Sequence, residues 1–187
     1  MTLMVLRVVP VINPYVRTLC RRPYPGHPKG CPNYAKKKTC PPGAPMFETR
    51  FDMTQPVYAV INRYDLASHT KRMKERHPDW SPRQLACCLY WQPLARRQLM
   101  ALIEDFLRKN PGYSVTVTPE AMGIDVATTL ARAGLRLPWP PVTEAYQVAI
   151  AGARLPRRRE DPCCEVAVPT VRKYRGVREY RDGDSGV

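Results

Sequence analysis

The stretch Cys20–Pro42, CRRPYPGHPKGCPNYAKKKTCPP, limits this chain more than any other. It sets three cysteines in a proline-rich, strongly basic run that neither a helix nor a strand can absorb. The thiols are spaced C-x10-C-x8-C, with Pro32 directly after the second and Pro41 and Pro42 directly after the third. Proline has no amide hydrogen, fixes its own φ and pushes the preceding residue out of the helical region. The backbone at Cys31 and Cys40 is therefore stiff and open. Gly26, Gly30, Pro25 and Pro28 supply turns that let it curl round a bound object, the pattern of a metal-binding loop.

Three thiolates are one short of the four that a closed zinc site or an ordinary cluster site uses. Three ways of meeting that shortfall stay open. A [4Fe-4S] cluster held by Cys20, Cys31 and Cys40 alone keeps one iron free for a small ligand, as in a Lewis-acid cluster rather than an electron carrier. With zinc, His27 completes a Cys3His set, since imidazole and thiolate are both good zinc ligands. Alternatively Cys163 or Cys164 returns from the far end of the chain as the fourth ligand. Lys29, Lys36, Lys37 and Lys38 are expected to lower the thiol pKa values and favour thiolate ligation. The plain alternative is a loop of free or disulfide-bonded cysteines.

The run CPNYAKKKTCPP (Cys31–Pro42), the later run PEAMGIDVATTLARAGL (Pro119–Leu135) and the apolar YQVAIAG beyond it resemble a family of uncharacterised metal-binding proteins. Members pair a CPNYG-x4-CPP cluster motif with a downstream EACGIDV-type helix start. The likeness spans roughly residues 15 to 153 and implies a cysteine-ligated iron–sulfur site, without implying a reaction. Ala35 stands where the family usually has glycine and Met122 where a cysteine is common, and the spacing from Cys20 to Cys31 is longer. The second CxxC-rich segment of many members is missing, so the resemblance does not carry a two-cluster electron-transfer role.

Thirty Lys and Arg against sixteen Asp and Glu give a net charge of +14. That excess points to a polyanionic partner, nucleic acid (RNA more than DNA) or a phosphorylated small molecule, with a merely solvated basic face as the alternative. A length of 187 residues suits one domain plus a tail. The division expected is a metal-binding α/β domain over 1–155, including the cysteine loop 20–42, and a basic C-terminal extension over 156–187. In that extension Arg and Tyr interleave, as in segments that grip a single strand by phosphate contact and base stacking. Its composition equally fits a disordered end, or a late strand at Cys163–Cys164 and EVAVP. No run approaches the ~20 apolar residues of a membrane span, so no membrane partner is expected. Met1–Pro10 lacks a basic n-region and a small-residue cleavage site and reads as a first strand. An odd count of seven cysteines without a secretion signal predicts a reducing cytoplasm.

Along the chain, Met46–Thr54 reads as a polar connector and Val57–Tyr64 as a central strand. Asp65 opens a basic helical stretch carrying His69 and His77 on roughly one face. Ser81, Pro82 and Gln84 form a capping signature for the longest helix, which runs to Asn110 with Leu85, Cys88, Leu89, Leu99, Leu102, Ile103, Phe106 and Leu107 on its apolar stripe. Cys88 is expected in the core. Tyr113–Thr118 alternates as a strand, Val126–Leu135 is a helix closed by Gly134, and Tyr146–Gly152 is a last buried strand. The sum is an α/β fold, a single-domain sandwich of a small central sheet flanked by helices, with a cysteine-rich metal-binding loop meeting the Glu120 turn at one sheet edge.

That turn is the second candidate site. Gly123 is expected to admit a substrate closely, and Glu120 or Asp125 is the candidate general acid or base; the modest alternative makes Asp125 a helix cap. No GxGxxG, P-loop, G-x-S-x-G or HExxH motif occurs. Two functions follow. One is an iron–sulfur enzyme, of lyase or desulfurase type, acting on a sulfur- or phosphate-bearing RNA or nucleotide substrate. The other is a basic nucleic-acid-binding module stabilised by zinc or a cluster, without catalysis.

Overall fold

The computed structural model describes residues 2–23 and 28–156. Four strands, β1 (Thr2–Val8), β2 (Val57–Asp65), β3 (Tyr113–Thr116) and β4 (Glu144–Ala153), form one antiparallel sheet in the order β1-β2-β4-β3. Between them lie α1 (Leu66–Arg76), α2 (Pro82–Leu85), α3 (Cys88–Lys109) and α4 (Val126–Arg132), with 3₁₀ segments at Pro14–Arg21, Phe47–Thr49 and Pro119–Met122. Both β2 and β3 run antiparallel to β4, so they are parallel to each other and α3 lies on the crossover between them, with β4 inserted to split the unit. The fold is α/β and single-domain, as expected.

Side chains alternate across the sheet, and the register decides which face each one joins. Val8, Ala59 and Ile61 share one face with Ile150, and there pack Phe47, Phe51, Met122, Ile124, Val126 and Leu130. On the other face Val60, Ala149 and Ala151 pack against Leu99, Leu102, Ile103 and Phe106 of α3. Small residues on β4 let that helix approach closely. Helix α3 therefore covers one face and α4 with the 3₁₀ segments covers the other.

Four readings of the sequence are corrected here. Met46–Thr54 is not a polar connector, because Phe47 and Phe51 are buried and stacked at 4.3 Å, filling the core under β4. A Cβ at Gly152 would come within 2.9 Å of Phe51, so that strand glycine leaves the space the rings occupy. The helix opened at Ser81 is not continuous. The capping box forms, with Gln84 N–H donating to Ser81 Oγ and Ser81 N–H donating to Gln84 Oε1, but the helix stops at Leu85 and α3 starts afresh from an extended Cys87. The break sets Trp91 beneath Tyr64, ring centroids 5.8 Å apart, while its indole N–H donates to the Ala86 carbonyl. It also turns the first residues of α3 outward: Cys88 is exposed rather than in the core, and Leu89 is 76% exposed. Finally, His69 and His77 do not share a basic face, because His69 is buried against Tyr64.

His69 Nδ1 lies 3.1 Å from Tyr64 Oη, and its Nε2 is buried with no partner among the described residues. Burial, and after it the Arg72 guanidinium, hold the imidazole pKa below its usual value. The unfolded chain thus takes up this proton at higher pH than the folded one, and stability is lost as pH falls below about 6.5 through the depressed folded value. The lowered carboxylates Asp52, Asp65 and Asp105 act only at still lower pH. In urea unfolding, the stability difference between pH 7 and pH 5 is expected to shrink in His69→Gln; an unchanged difference would exclude His69 as its source. In the same assay Phe47→Ala is expected to cost about 3–5 kcal/mol, and the exposed Leu89→Ala less than about 0.5.

Candidate metal centre

The cysteine loop is closed by its backbone. Cys20 stands near the end of the 3₁₀ segment Pro14–Arg21, which Asn13 caps by accepting from the Tyr15 amide. The Cys31 amide donates to the Cys20 carbonyl at 2.8 Å, so the first two cysteines meet across the intervening residues. Gly30 makes the junction possible: its φ is +81°, and a Cβ there would stand 2.6 Å from the Cys20 carbonyl oxygen. Beyond Cys31 the chain turns at Ala35, which takes φ +56°, and the Ala35 amide donates to the Pro41 carbonyl at 2.8 Å. Ala35 is thus held in the left-handed conformation that glycine favours. The Cys40 amide donates to the Lys37 carbonyl, and the Cys40 carbonyl accepts from Ala44. Arg17 clamps the far side, donating to the carbonyls of Pro42 and Ala44.

The loop then meets the turn after β3. Thr118 Oγ1 donates to the Thr39 carbonyl at 3.3 Å, the Asn13 amide to the Gly123 carbonyl, and the Asp125 amide to the Val11 carbonyl. Cys20, Cys31 and Cys40 are all half-buried. Burial pushes the Cys20 thiol up, and the nearby Cys31, Cys40 and Glu120 push it further. The lowering expected from the lysines does not occur at Cys20, because lost hydration and like charge outweigh it; Lys29, Lys36, Lys37 and Lys38 are exposed to solvent.

Cys20 is therefore within electrostatic reach of Cys31, Cys40 and Glu120. Among the described residues, no three His, Cys, Asp or Glu side chains stand together as ligands of a metal ion. Thiolates on one zinc are only about 4 Å apart, since each bond is ~2.3 Å. A cluster of several irons sets its ligands farther apart. His27, Cys163 and Cys164, the candidate fourth ligands, lie outside the described residues.

The two carboxylates differ. Glu120 keeps an exposed surface, yet the surrounding protein takes water from its carboxyl and raises it above the ordinary carboxylate range; its own backbone N–H opposes this and the Asp125 charge adds to it. Contact with solvent limits that rise. Asp125 is the cap of α4: Oδ1 accepts from the Thr128 amide and Oδ2 from the Thr128 hydroxyl, both at 2.9 Å, so neither oxygen is free to act as a base. Gly123 admits a neighbour of its own chain rather than a substrate, because a Cβ there would meet Met46 Cε at 2.4 Å. The sheet is antiparallel and α4 has seven residues, so the ligand crevice of parallel α/β sheets has no counterpart at this turn. Met46 and Arg17 were not foreseen as parts of the site. Arg17 Nη1 lies 3.1 Å from Met46 Sδ, a contact that no sequence motif announces.

No protein-family model, no curated protein and no solved structure matches the chain.

Gly30→Ala is expected to destabilise the protein by at least about 1–2 kcal/mol through its positive φ, and more through the collision with Cys20. Ala35→Gly is expected to hold stability within about 1 kcal/mol of the parent, relief of the left-handed strain offsetting the extra chain entropy. Thermal unfolding of both variants decides this. A Gly30→Ala protein as stable as the parent would mean that the Cys20–Cys31 junction is not fixed.

Proposed function

We propose that this chain is an iron–sulfur protein in which Cys20, Cys31 and Cys40 hold a [4Fe-4S] cluster and leave one iron open. What supports this reading is the C-x10-C-x8-C spacing, together with three half-buried thiols of which Cys20 feels the charges of Cys31, Cys40 and Glu120. When bound, such a group supplies a Lewis-acid iron for a sulfur or oxygen atom of a substrate.

The chain's own residues then have distinct tasks. Glu120, open to solvent and raised above its ordinary range, keeps a proton to higher pH than a free glutamate and is the acid or base of the site. Asp125 positions the turn through its cap and through its charge on Glu120. The exposed Lys29, Lys36, Lys37 and Lys38 surround the thiols with positive charge fit for a phosphate-bearing substrate, an RNA or a nucleotide. An activity of lyase or desulfurase type joins these features. The second reading is a zinc- or cluster-stabilised basic module that binds nucleic acid without catalysis, and the exposed lysines with the +14 charge favour it.

Purification without oxygen separates the two. The first reading expects a brown protein with about four irons per chain, lost in Cys40→Ala and retained in Glu120→Gln. A colourless protein with one zinc supports the second reading, and iron that stays bound in Cys40→Ala overturns the ligand assignment.

A further inference from the structure

The corner where α1, α2 and α3 meet carries a row of aromatic rings that the fold does not bury. His77 caps the C-terminal end of α1, and its ring lies on that of Trp80 with centroids 4.1 Å apart and planes within 9°. Trp80 also packs on Tyr90 of α3, at 4.7 Å. His77 and Trp80 are half-exposed and Tyr90 is 50% exposed. Packing that served only to close the corner would hide these rings, as it hides Trp91 beneath Tyr64 one residue further along. Lys74 reaches the carbonyls of Pro78 and Trp80 and fixes the turn that presents the indole.

Around the rings the charge is one-sided. Lys71, Arg72, Lys74, Arg76, Arg83, Arg96 and Arg97 are all exposed, against only Glu75 and Asp79 over the same residues 71–97. None of the seven is in an ion pair among the described residues; Arg63, Arg108 and Lys109, which are, lie elsewhere. Arg72 is turned to Tyr64 and Asp65 and Lys74 to the turn, which leaves Arg76, Arg83, Arg96 and Arg97 as exposed cations near solvent-facing rings, the chemistry that grips unpaired nucleotides: the cations take phosphates and the rings take base faces.

We infer that this corner is a binding platform for single-stranded RNA, with His77, Trp80 and Tyr90 stacking bases and Arg76, Arg83, Arg96 and Arg97 holding the backbone. RNA is the occupant because its loops and ends offer unpaired bases as a regular state, whereas duplex DNA hides them. The platform does not depend on the metal centre, and shares with the proposed function only the expectation of a polyanionic partner.

The test is fluorescence anisotropy of the full chain with a labelled twelve-nucleotide RNA of mixed sequence, titrated at several salt concentrations beside a hairpin-free DNA and a duplex of the same length. Affinity is expected to fall with salt, log K losing about 0.7 per decade for each phosphate held. Trp80→Ala is expected to weaken RNA binding roughly tenfold or more at unchanged salt slope, and Trp80→Phe to restore most of it. Arg96→Gln with Arg97→Gln is expected to flatten the slope. Circular dichroism identifies a variant that has not folded, in which case Tyr90→Ala takes the place of Trp80→Ala with the same expected loss. Equal affinity for the duplex, or RNA binding indifferent to these ring substitutions in folded protein, overturns the platform. In that event the aromatic row serves a protein partner or the corner's own packing. Iron content in Trp80→Ala stays that of the parent, so failure of the platform and failure of the cluster are read separately.

Discussion

Strand β2 is covered on both faces, and the layout of the molecule follows from that constraint. Val57, Ala59 and Ile61 point to the Phe47 side, while Val60, Asn62 and Tyr64 point to α3. A shift of register by one residue would exchange the two sets and put Asn62, whose amide now donates to the Ala95 carbonyl, among the phenylalanines. Pairing with β1 on one side and β4 on the other therefore has one good solution. The two cores it creates decide which segments can be surface: the cysteine loop is anchored over the Phe47 side, and the aromatic corner hangs beyond the end of the α3 side.

The anchoring of the loop shows how irregular chain is held without a ladder. Few of the described residues between Pro14 and Ala44 are buried, yet the segment is tied down by Gly123 on Asn13, Val11 on Asp125, Arg17 on two carbonyls and Thr118 on Thr39. Each bond is worth about 1 kcal/mol net, and together they hold the described parts of the loop against the domain. The conformational entropy that such a loop loses on folding is reduced beforehand by its many prolines.

Legibility in the sequence tracked the range of the interaction. The four strands, the Asp65 and Asp125 caps and the Ser81 capping box depend on near neighbours, and their residue patterns announced them. Long-range effects did not announce themselves: Phe47 and Phe51 looked like members of a polar stretch because their partners lie on β4, and the break at Ala86–Cys87, which goes with Trp91 lying beneath Tyr64, has no glycine or proline at that point to mark it. The same holds for the candidate site. Its thiols and Glu120 were picked by residue type, while the occupation of the Gly123 niche by Met46 and the engagement of both Asp125 oxygens are consequences of the assembled fold.

The electrostatics of the cysteine loop bear on how it folds. At neutral pH Cys20, pushed up by burial and by its neighbours, is a thiol rather than a thiolate, and no Asp or Glu occurs between residues 20 and 42 to balance the lysines. A cationic inorganic group reverses both effects at once: it draws the protons off the thiols, and its ligands' new charge offsets the surrounding Lys29, Lys36, Lys37 and Lys38. On the proposed reading, the positive charge near the loop is thus matched to a thiolate-rich site, while the cations at the aromatic corner form no carboxylate ion pair among the described residues and are proposed to meet a partner. Two basic regions of similar composition are in this way given different work by what lies between their charges, sulfur in one and exposed rings in the other.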